Sequence, residues 1–257
     1  MQLDIDLAAA ERTEEARQLI DTARSNGIVS LGALGGMDLC ILGGPMHLVF
    51  PEAVAKAWLD LGDRARQKLI DERTADMAKR GMLTPPPSGG YGYALAPALG
   101  LALAARCRPT FVVTASAGPR MRPLCFFALG DQTEPVRGLV IEVPAPPADN
   151  RKFPQQKKLG PLGWLYSYAL VTPEKAAYML AEHVSSPPSG VQVGPGQPPY
   201  VVTLYRAGDG LQPAAELSLL GDGTTTRVTG ASADGEYDKA ALQQILLGLF
   251  AYGTPAV

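Results

Sequence analysis

The chain has 257 residues, of which 46% are apolar and 19% are charged, and its formal net charge is −2. This composition can bury one large or two smaller hydrophobic cores, which excludes wholesale disorder. Positive and negative charges are nearly balanced, so there is no global positive field to hold nucleic acid or an anionic membrane. We therefore expect a globular protein whose partners are not nucleic acids.

The N-terminal residues 1–27 are acidic and amphipathic, without the basic and apolar regions of a secretory signal. Glycine, proline and aspartate interrupt the apolar stretch 28–50 before it reaches the roughly 18 to 20 residues that a membrane span requires. These features predict a cytoplasmic protein with no membrane insertion. The three cysteines, Cys40, Cys107 and Cys125, are widely spaced among apolar residues, which predicts buried free thiols.

The first part of the chain is predicted to be mainly helical. Apolar residues recur at helical spacing from Leu7 to Ala23 and again from Pro51 to Gly81, where Gly62 marks a possible break. Short apolar runs between glycines predict strands or irregular packing over 28–50. The segment 84–93 is rich in proline and glycine, which predicts a mobile loop before a short helix at 95–106.

The middle and last thirds are each predicted to form three strands followed by a helix. The first set of β-type runs lies at 109–117, 122–129 and 136–143, before a helix at 172–184. The second set lies at 200–206, 214–220 and 224–231, before a helix at 237–252. Both sets open on similar segments, RPTFVVT and PPYVVTL.

This repetition predicts an α+β fold. Two β-β-β-α units related by pseudo-twofold symmetry would form one antiparallel sheet with helices packed on it, next to a helical N-terminal part. The expected divisions are 1–108, 109–184, a mobile linker at 185–199, and 200–257, with one compact domain overall as the alternative.

No motif for nucleotide, metal or cofactor binding is recognisable. The glycine-rich segments 89–92 and 194–196 lack the lysine and hydroxyl that follow a phosphate-binding loop. His47 and His183 have no nearby second metal ligand. We expect no cofactor and no enzymatic activity; the alternative is a scattered catalytic site that combines Ser116 or Cys125 with His183.

Two regions are candidates for binding a protein. The segment 150–168 concentrates basic and aromatic residues, so Phe153 and Trp164 either contact a partner or anchor a loop to the core. The C-terminal helix is expected to pack on the sheet through Leu242, Ile245, Leu246 and Leu249. Leu247 and Phe250 continue this apolar surface, so the helix either is buried on both sides or offers a face to a partner.

Three short elements resemble the EspG family, cytosolic chaperones of actinobacterial type VII (ESX) secretion. They are the Ala-Lys-Arg-Gly-Met-Leu element at 78–83, the Leu-Ala-Pro-Ala-Leu element at 95–99, and the Ala-Ala-Arg-Cys-Arg-Pro element at 104–109. In that family a similar succession precedes a β meander and a helix, and the unit recurs with pseudo-twofold symmetry. The segments 28–50 and 150–160 depart from the family pattern.

The resemblance implies a non-enzymatic adaptor or chaperone that keeps a PE-PPE type pair of secretion substrates soluble. In that family the partner surface uses the central sheet, a loop between its strands and the C-terminal helical part. The corresponding regions here are the helix at 242–250 and the loop formed by Gly130, Asp131, Gln132, Thr133 and Glu134. A structural or regulatory subunit of another protein assembly would leave a similar sequence pattern and is the alternative.

Overall fold

A computed structural model describes residues 14–43, 52–84, 93–117, 122–130, 136, 138–144, 159–185, 199–206, 212–231 and 233–254. These residues form seven α-helices and a large antiparallel sheet of nine strands. The chain is therefore a mixed α+β protein with a helical N-terminal part, which confirms the predicted fold class.

The N-terminal part contains five helices and three strands. In chain order they are α1 (Glu14–Asn26), β1 (Ile28–Gly35), α2 (Gly36–Gly43), α3 (Glu52–Leu59), α4 (Asp63–Lys79), β2 (Leu83–Thr84), β3 (Ala94–Leu95) and α5 (Pro97–Cys107).

The remaining part contains eight strands, one 3-10 turn and two helices. They are β4 (Phe111–Ala117), β5 (Leu124–Leu129), β6 (Gly138–Pro144), the turn Gly160–Gly163, β7 (Leu165–Val171), α6 (Pro173–Ser185), β8 (Tyr200–Arg206), β9 (Gln212–Gly221), β10 (Thr226–Thr229), β11 (Gly235–Tyr237) and α7 (Lys239–Tyr252). The order in the large sheet is β1-β7-β6-β5-β4-β8-β9-β10-β11, and β2 and β3 form a separate pair.

Alternating chain segments build two compact units. The first comprises the described residues within 1–19, 30–108 and 144–169, and the second comprises those within 20–29, 109–143 and 170–257. The divisions at 108, 184 and 199 stay predictions from the sequence.

The helical predictions for the N-terminal part agree with the structure where it is described. Helix α1 ends at Asn26, and Gly27 follows with a φ of 79°, a conformation that favours glycine after a helix. The described residues from 52 to 79 form two consecutive helices, α3 and α4, and the possible break at Gly62 lies between them. The predicted start of the first helix, at Leu7, lies outside the described residues.

The prediction of strands over 28–50 is only partly right. Residues 28–35 form β1, but the apolar run Leu39 to Leu42 lies in helix α2. The carboxylate of Asp38 explains why this run is helical, because its Oδ2 accepts a hydrogen bond from the backbone N–H of Gly35 at 3.0 Å. This contact stabilises the first turn of α2 by capping it. Residues 44–50 lie beyond the ranges that the structure describes.

The buried carboxylate of Asp38 also joins two helices of the first unit. Asp38 is only 2% exposed, and its Oδ1 accepts hydrogen bonds from Nε and Nη2 of Arg73 on α4 at 2.9 and 2.7 Å. Nη2 of Arg73 also donates to Oδ2 of Asp38 at 2.9 Å. This bidentate geometry is the strong form of a carboxylate–guanidinium pair.

The two segments predicted as mobile loops are ordered at their ends. Thr84 and Ala94 pair in the small antiparallel sheet, and Ser185 is the last residue of α6. The intervening residues 85–92 and 186–198 are not among the described ones.

Each repeat contains four strands before its helix, where three were predicted. The repeats are β4-β5-β6-β7-α6 and β8-β9-β10-β11-α7, and the strand order is mirrored about the central antiparallel pair of β4 and β8. The missed strand of the second repeat, β11, has only three residues, which is too short to show an alternating pattern.

Helices α6 and α7 pack on one face of the sheet in the second unit. Their buried residues form a single core with alternate residues of β4, β5, β6, β8, β9 and β10. Leu242, Ile245, Leu246 and Leu249 belong to this core, as predicted from their spacing. Both helices begin at a cap: Thr172 Oγ1 accepts from the backbone N–H of Lys175, and Asp238 Oδ1 accepts from that of Ala241.

Candidate partner-binding surface

The predicted loop after β5 is described only at its first residue. Gly130 is exposed and has a φ of 136°, which only glycine adopts readily. Five of the predicted contact residues lie outside the described ranges: Asp131, Gln132, Thr133, Glu134 and Phe153.

Trp164 connects two backbone segments of the first unit. Its side chain is half-buried, and its backbone carbonyl accepts a hydrogen bond of 2.7 Å from the N–H of Gly36. Tyr166 and Tyr168, at alternate positions of the following strand β7, are each 2% exposed. These aromatic residues anchor β7, in line with the structural interpretation of this segment.

Phe250 lies in the core of the second unit. It is 0% exposed, and the centroid of its ring is 4.7 Å from that of Phe126 on β5. Leu247 is half-buried and packs against the same core. The apolar surface around α7 is therefore used for packing, and the side chain of Phe250 presents nothing to a partner.

In the hypothetical catalytic site, the sheet lies between His183 and the two candidate nucleophiles, Ser116 and Cys125. Along β4 and β5, Ser116 and Cys125 alternate with core residues and lie on the face away from α6 and α7. His183 lies on α6, and its Nε2 forms a hydrogen bond of 2.6 Å with the hydroxyl of Tyr200. Burial raises the pKa of that tyrosine. The fold does not bring these three side chains together, and His47 is not among the described residues.

The three cysteines form no disulfide with one another. Cys40 and Cys125 are buried as predicted, whereas Cys107 is half-buried. Burial raises the pKa of Cys40 to about 12 and that of Cys107 to about 11, because the thiolate is poorly solvated in these environments. Their sulfurs therefore lack the thiolate character of a nucleophile at neutral pH.

The described residues contain neither a metal-binding cluster nor a membrane-crossing helix. No group of three or more histidine, cysteine, aspartate or glutamate side chains there could hold a metal ion. Within the same residues, no helix combines the length and the apolar character needed to cross a bilayer.

The second face of the sheet, away from α6 and α7, differs between the two repeats. In the first repeat six residues of this face are each 0 to 4% exposed, whereas Thr114 and Ser116 on β4 are half-buried; the six are Val112, Cys125, Phe127, Leu129, Val140 and Glu142. In the second repeat Thr203 is 7% exposed, and the other residues of the face are exposed or half-buried. We call these exposed or half-buried residues the open face; they are Val201, Tyr205, Glu216, Ser218, Leu220, Arg227, Thr229 and Glu236.

Strand register identifies the equivalent positions. Thr114 pairs with Thr203 across the central strands, so Val112 corresponds to Val201 in the shared sequence VVT. The β5 partner of Val112 is Phe127, and the β9 partner of Val201 is Ser218. Phe127 therefore corresponds to Ser218.

The same reasoning extends to the next strand of each repeat. Val140 pairs with Phe127 in the first repeat, and Thr229 pairs with Ser218 in the second, so Val140 corresponds to Thr229. Buried apolar residues of one repeat are replaced by hydroxyl residues in the other. This is the pattern of an antiparallel sheet with one half exposed to solvent.

The open face has the chemical mixture of a protein-binding surface. Leu220 is 44% exposed, Tyr205 and Val201 are half-exposed, and hydroxyl groups lie between them. Non-obligate interfaces are about as apolar as the rest of a surface, with tyrosine and arginine enriched. Arg227 is present here and donates to Glu236 Oε1 at 2.7 Å. The strand backbones are paired, so recognition on this face would use side chains.

The open face was not predicted from the sequence. Strands β4 and β8 share the VVT pattern, and only the burial of their neighbours distinguishes a covered half from an open one. The signal that could have found it is the change from Phe127 and Val140 to Ser218 and Thr229 at matching positions of the two repeats.

Comparisons with known proteins add no identification. No protein-family model matches the chain, and no curated protein matches it. The resemblance to the EspG family stays a prediction from the sequence.

Proposed function

We propose that this protein is a non-enzymatic adaptor or chaperone that binds a protein partner on the open face. The observation that carries the proposal is the contrast between the repeats at matching positions of one sheet face: Val112, Phe127 and Val140 are buried, whereas their counterparts are exposed or half-buried; these are Val201, Ser218 and Thr229. Tyr205 and Arg227 on that face are residue types enriched in interfaces. Leu220 adds an apolar side chain that is 44% exposed.

The resemblance to the EspG family supplies the class of partner. On this proposal the protein is cytoplasmic and holds a PE-PPE type pair of secretion substrates soluble before type VII secretion. A sheet face with side chains of mixed polarity suits a transient complex, because the surface must be stable both free and bound. The buried core of α7, including Phe250, then supports the sheet and does not contact the partner.

Affinity purification of the tagged full-length chain from its native host, followed by mass spectrometry, tests this proposal. The expected result is a small secreted-protein pair at a stoichiometric ratio to the chain. Incorporation into a larger assembly would favour a structural subunit instead. Recovery of the chain alone, at native expression levels and low salt, would contradict an adaptor function.

A further inference from the structure

We infer that β1 pairs with β1 of a second copy of this chain, so that two nine-stranded sheets join edge to edge in a symmetric dimer. The sheet ends at β1 on one side and at β11 on the other. An edge strand has one row of backbone N–H and C=O groups that no neighbouring strand satisfies, and such a row is a template for another strand. The inference goes beyond the proposed function, because it assigns an interface of the protein with itself.

The two edge strands differ in the features that prevent strand addition. Strand β11 has only three residues, and the carboxylate of Glu236 on it accepts a hydrogen bond from Arg227 at 2.7 Å. Short edge strands and charged side chains are common means of blocking an edge. Strand β1 has eight residues, and none of them is charged or a proline. The edge at β1 therefore lacks the protection that the edge at β11 has.

The backbone at the end of β1 shows which side faces outward. The N–H of Gly36 donates a hydrogen bond of 2.7 Å to the carbonyl of Trp164, which directly precedes β7. Successive N–H groups of an extended chain alternate in direction, so the N–H of Gly35 points away from β7 and reaches Oδ2 of Asp38 at 3.0 Å. This carboxylate closes the outer row at its last residue. The described part of the chain supplies no similar acceptor to the row before it.

The exposed residues of β1 are small or apolar, which suits the pairing of identical strands. Ile28 is 43% exposed, and Ser30 and Gly32 are also exposed. Gly32 has a φ of 102°, and glycine inside a strand is typical of a bulge or of a position that another backbone approaches closely.

A second copy of β1 is a matching occupant for this edge. It supplies a strand of equal length, and two antiparallel copies bring the same residues together across a twofold axis. Because β1 is uncharged, this arrangement places no like charges opposite each other. Two paired strands of this length join an edge of roughly 27 Å, which is a small interface, so we expect a weak dimer with a Kd between about 1 μM and 1 mM.

Sedimentation velocity of the full-length chain at increasing concentration tests the inference. The wild type should pass from monomer to dimer within this range. Ser30 lies near the centre of β1, so Ser30→Lys and Ser30→Glu should each weaken the dimer by about tenfold or more, because two like charges then meet across the axis. The matched control is Gln244→Lys at an exposed position of α7, which adds a charge away from β1 and should leave the dimer unchanged.

An equimolar mixture of the Ser30→Lys and Ser30→Glu variants should restore the dimer, since opposite charges then face each other. This rescue distinguishes a lost interface from a lost fold. A wild type that stays monomeric up to about 1 mM would overturn the inference. A dimer that both Ser30 variants leave intact, or a mixture that stays monomeric, would overturn it as well. None of these outcomes decides the proposed function, which purification from the native host tests independently.

Discussion

Thr114 and Thr203 are paired directly across the two central strands, and each is the last residue of a VVT segment that opens its repeat. The pseudo-twofold axis that relates the repeats therefore passes close to this pair. Positions on either side of it can be compared one by one, and the comparison distinguishes a buried half of the sheet from an open half.

This relationship predicts unequal effects of the two exchanges Phe127→Ser and Ser218→Phe on stability. Phe127→Ser should destabilise the protein by about 3–5 kcal/mol, because it removes a ring that is 0% exposed. Ser218→Phe should change stability by about 1 kcal/mol or less, because its side chain lies on the open face. Urea unfolding of the two variants measures both values. Similar destabilisation by both exchanges would show that the open face is packed.

The ion pair of Asp38 and Arg73 is predicted to matter for stability. Asp38→Ala should destabilise by about 3 kcal/mol, since it leaves the guanidinium without its bidentate partner and removes the cap of α2. The matched control is Glu72→Ala, which removes an exposed pair with Lys68 on α4. That variant should lose about 0.5 kcal/mol or less. Equal melting temperatures for the two variants would contradict the assignment of Asp38.

The close neighbours of Gly36 are predicted to make any larger side chain at this position destabilising. A Cβ at this position would lie 2.8 Å from the carbonyl oxygen of Pro161 and 3.1 Å from Val54, so Gly36→Ala should cost about 1–3 kcal/mol. At Gly62 a Cβ would meet nothing within 4 Å. Gly62→Ala should change stability by about 0.5 kcal/mol or less, because reduced entropy of the unfolded chain offsets a poorer N-cap. Thermal unfolding of the Gly36→Ala and Gly62→Ala variants measures both changes in stability.

The buried thiol of Cys40 predicts a pH dependence of stability. Its pKa is about 12 in the folded protein against an ordinary value of 9.0. Between these values the unfolded chain has lost a proton that the folded chain keeps, so the unfolded state is favoured increasingly as pH rises. The contribution is complete below pH 9 and declines above it.

Alkylation with iodoacetamide measures the same property. At pH 9 Cys40 should react far more slowly in the folded chain than in urea, because the thiolate is the nucleophile. Mass spectrometry of tryptic peptides follows each cysteine separately. Equal rates in the folded and unfolded chain would show that Cys40 is accessible and ionised.

The sequence predicted the fold class because both repeats contain strong local signals. Three local signals determine structure without distant contacts. They are the β-branched and aromatic runs of β4 and β8, Thr172 before α6, and Gly62 between α3 and α4. The exception was α2, where a short apolar run is compatible with a strand or a buried helix. The cap by Asp38 decides in favour of the helix, and its partner Arg73 is 35 residues away.

The candidate surface was harder to predict because burial depends on tertiary neighbours. An apolar residue such as Phe250 has the same sequence pattern whether it packs on Phe126 or meets a partner. The hydroxyl residues of the open face are common on any exposed strand. Its residues could be assembled only from the strand register, which places Glu216, Arg227 and Glu236 on one side of the sheet.

The most direct measurement of the central claim compares partner capture by two aspartate variants, Leu220→Asp on the open face and Tyr252→Asp at the end of α7. Both residues are exposed, at 44% and 66%, so both variants should keep the melting temperature of the wild type. Quantitative mass spectrometry of affinity purifications gives the ratio of partner to chain. The account predicts that Leu220→Asp lowers this ratio by about tenfold or more, equivalent to about 1.4 kcal/mol, and that Tyr252→Asp leaves it unchanged. Undiminished capture by a folded Leu220→Asp variant would contradict the open face as the binding surface.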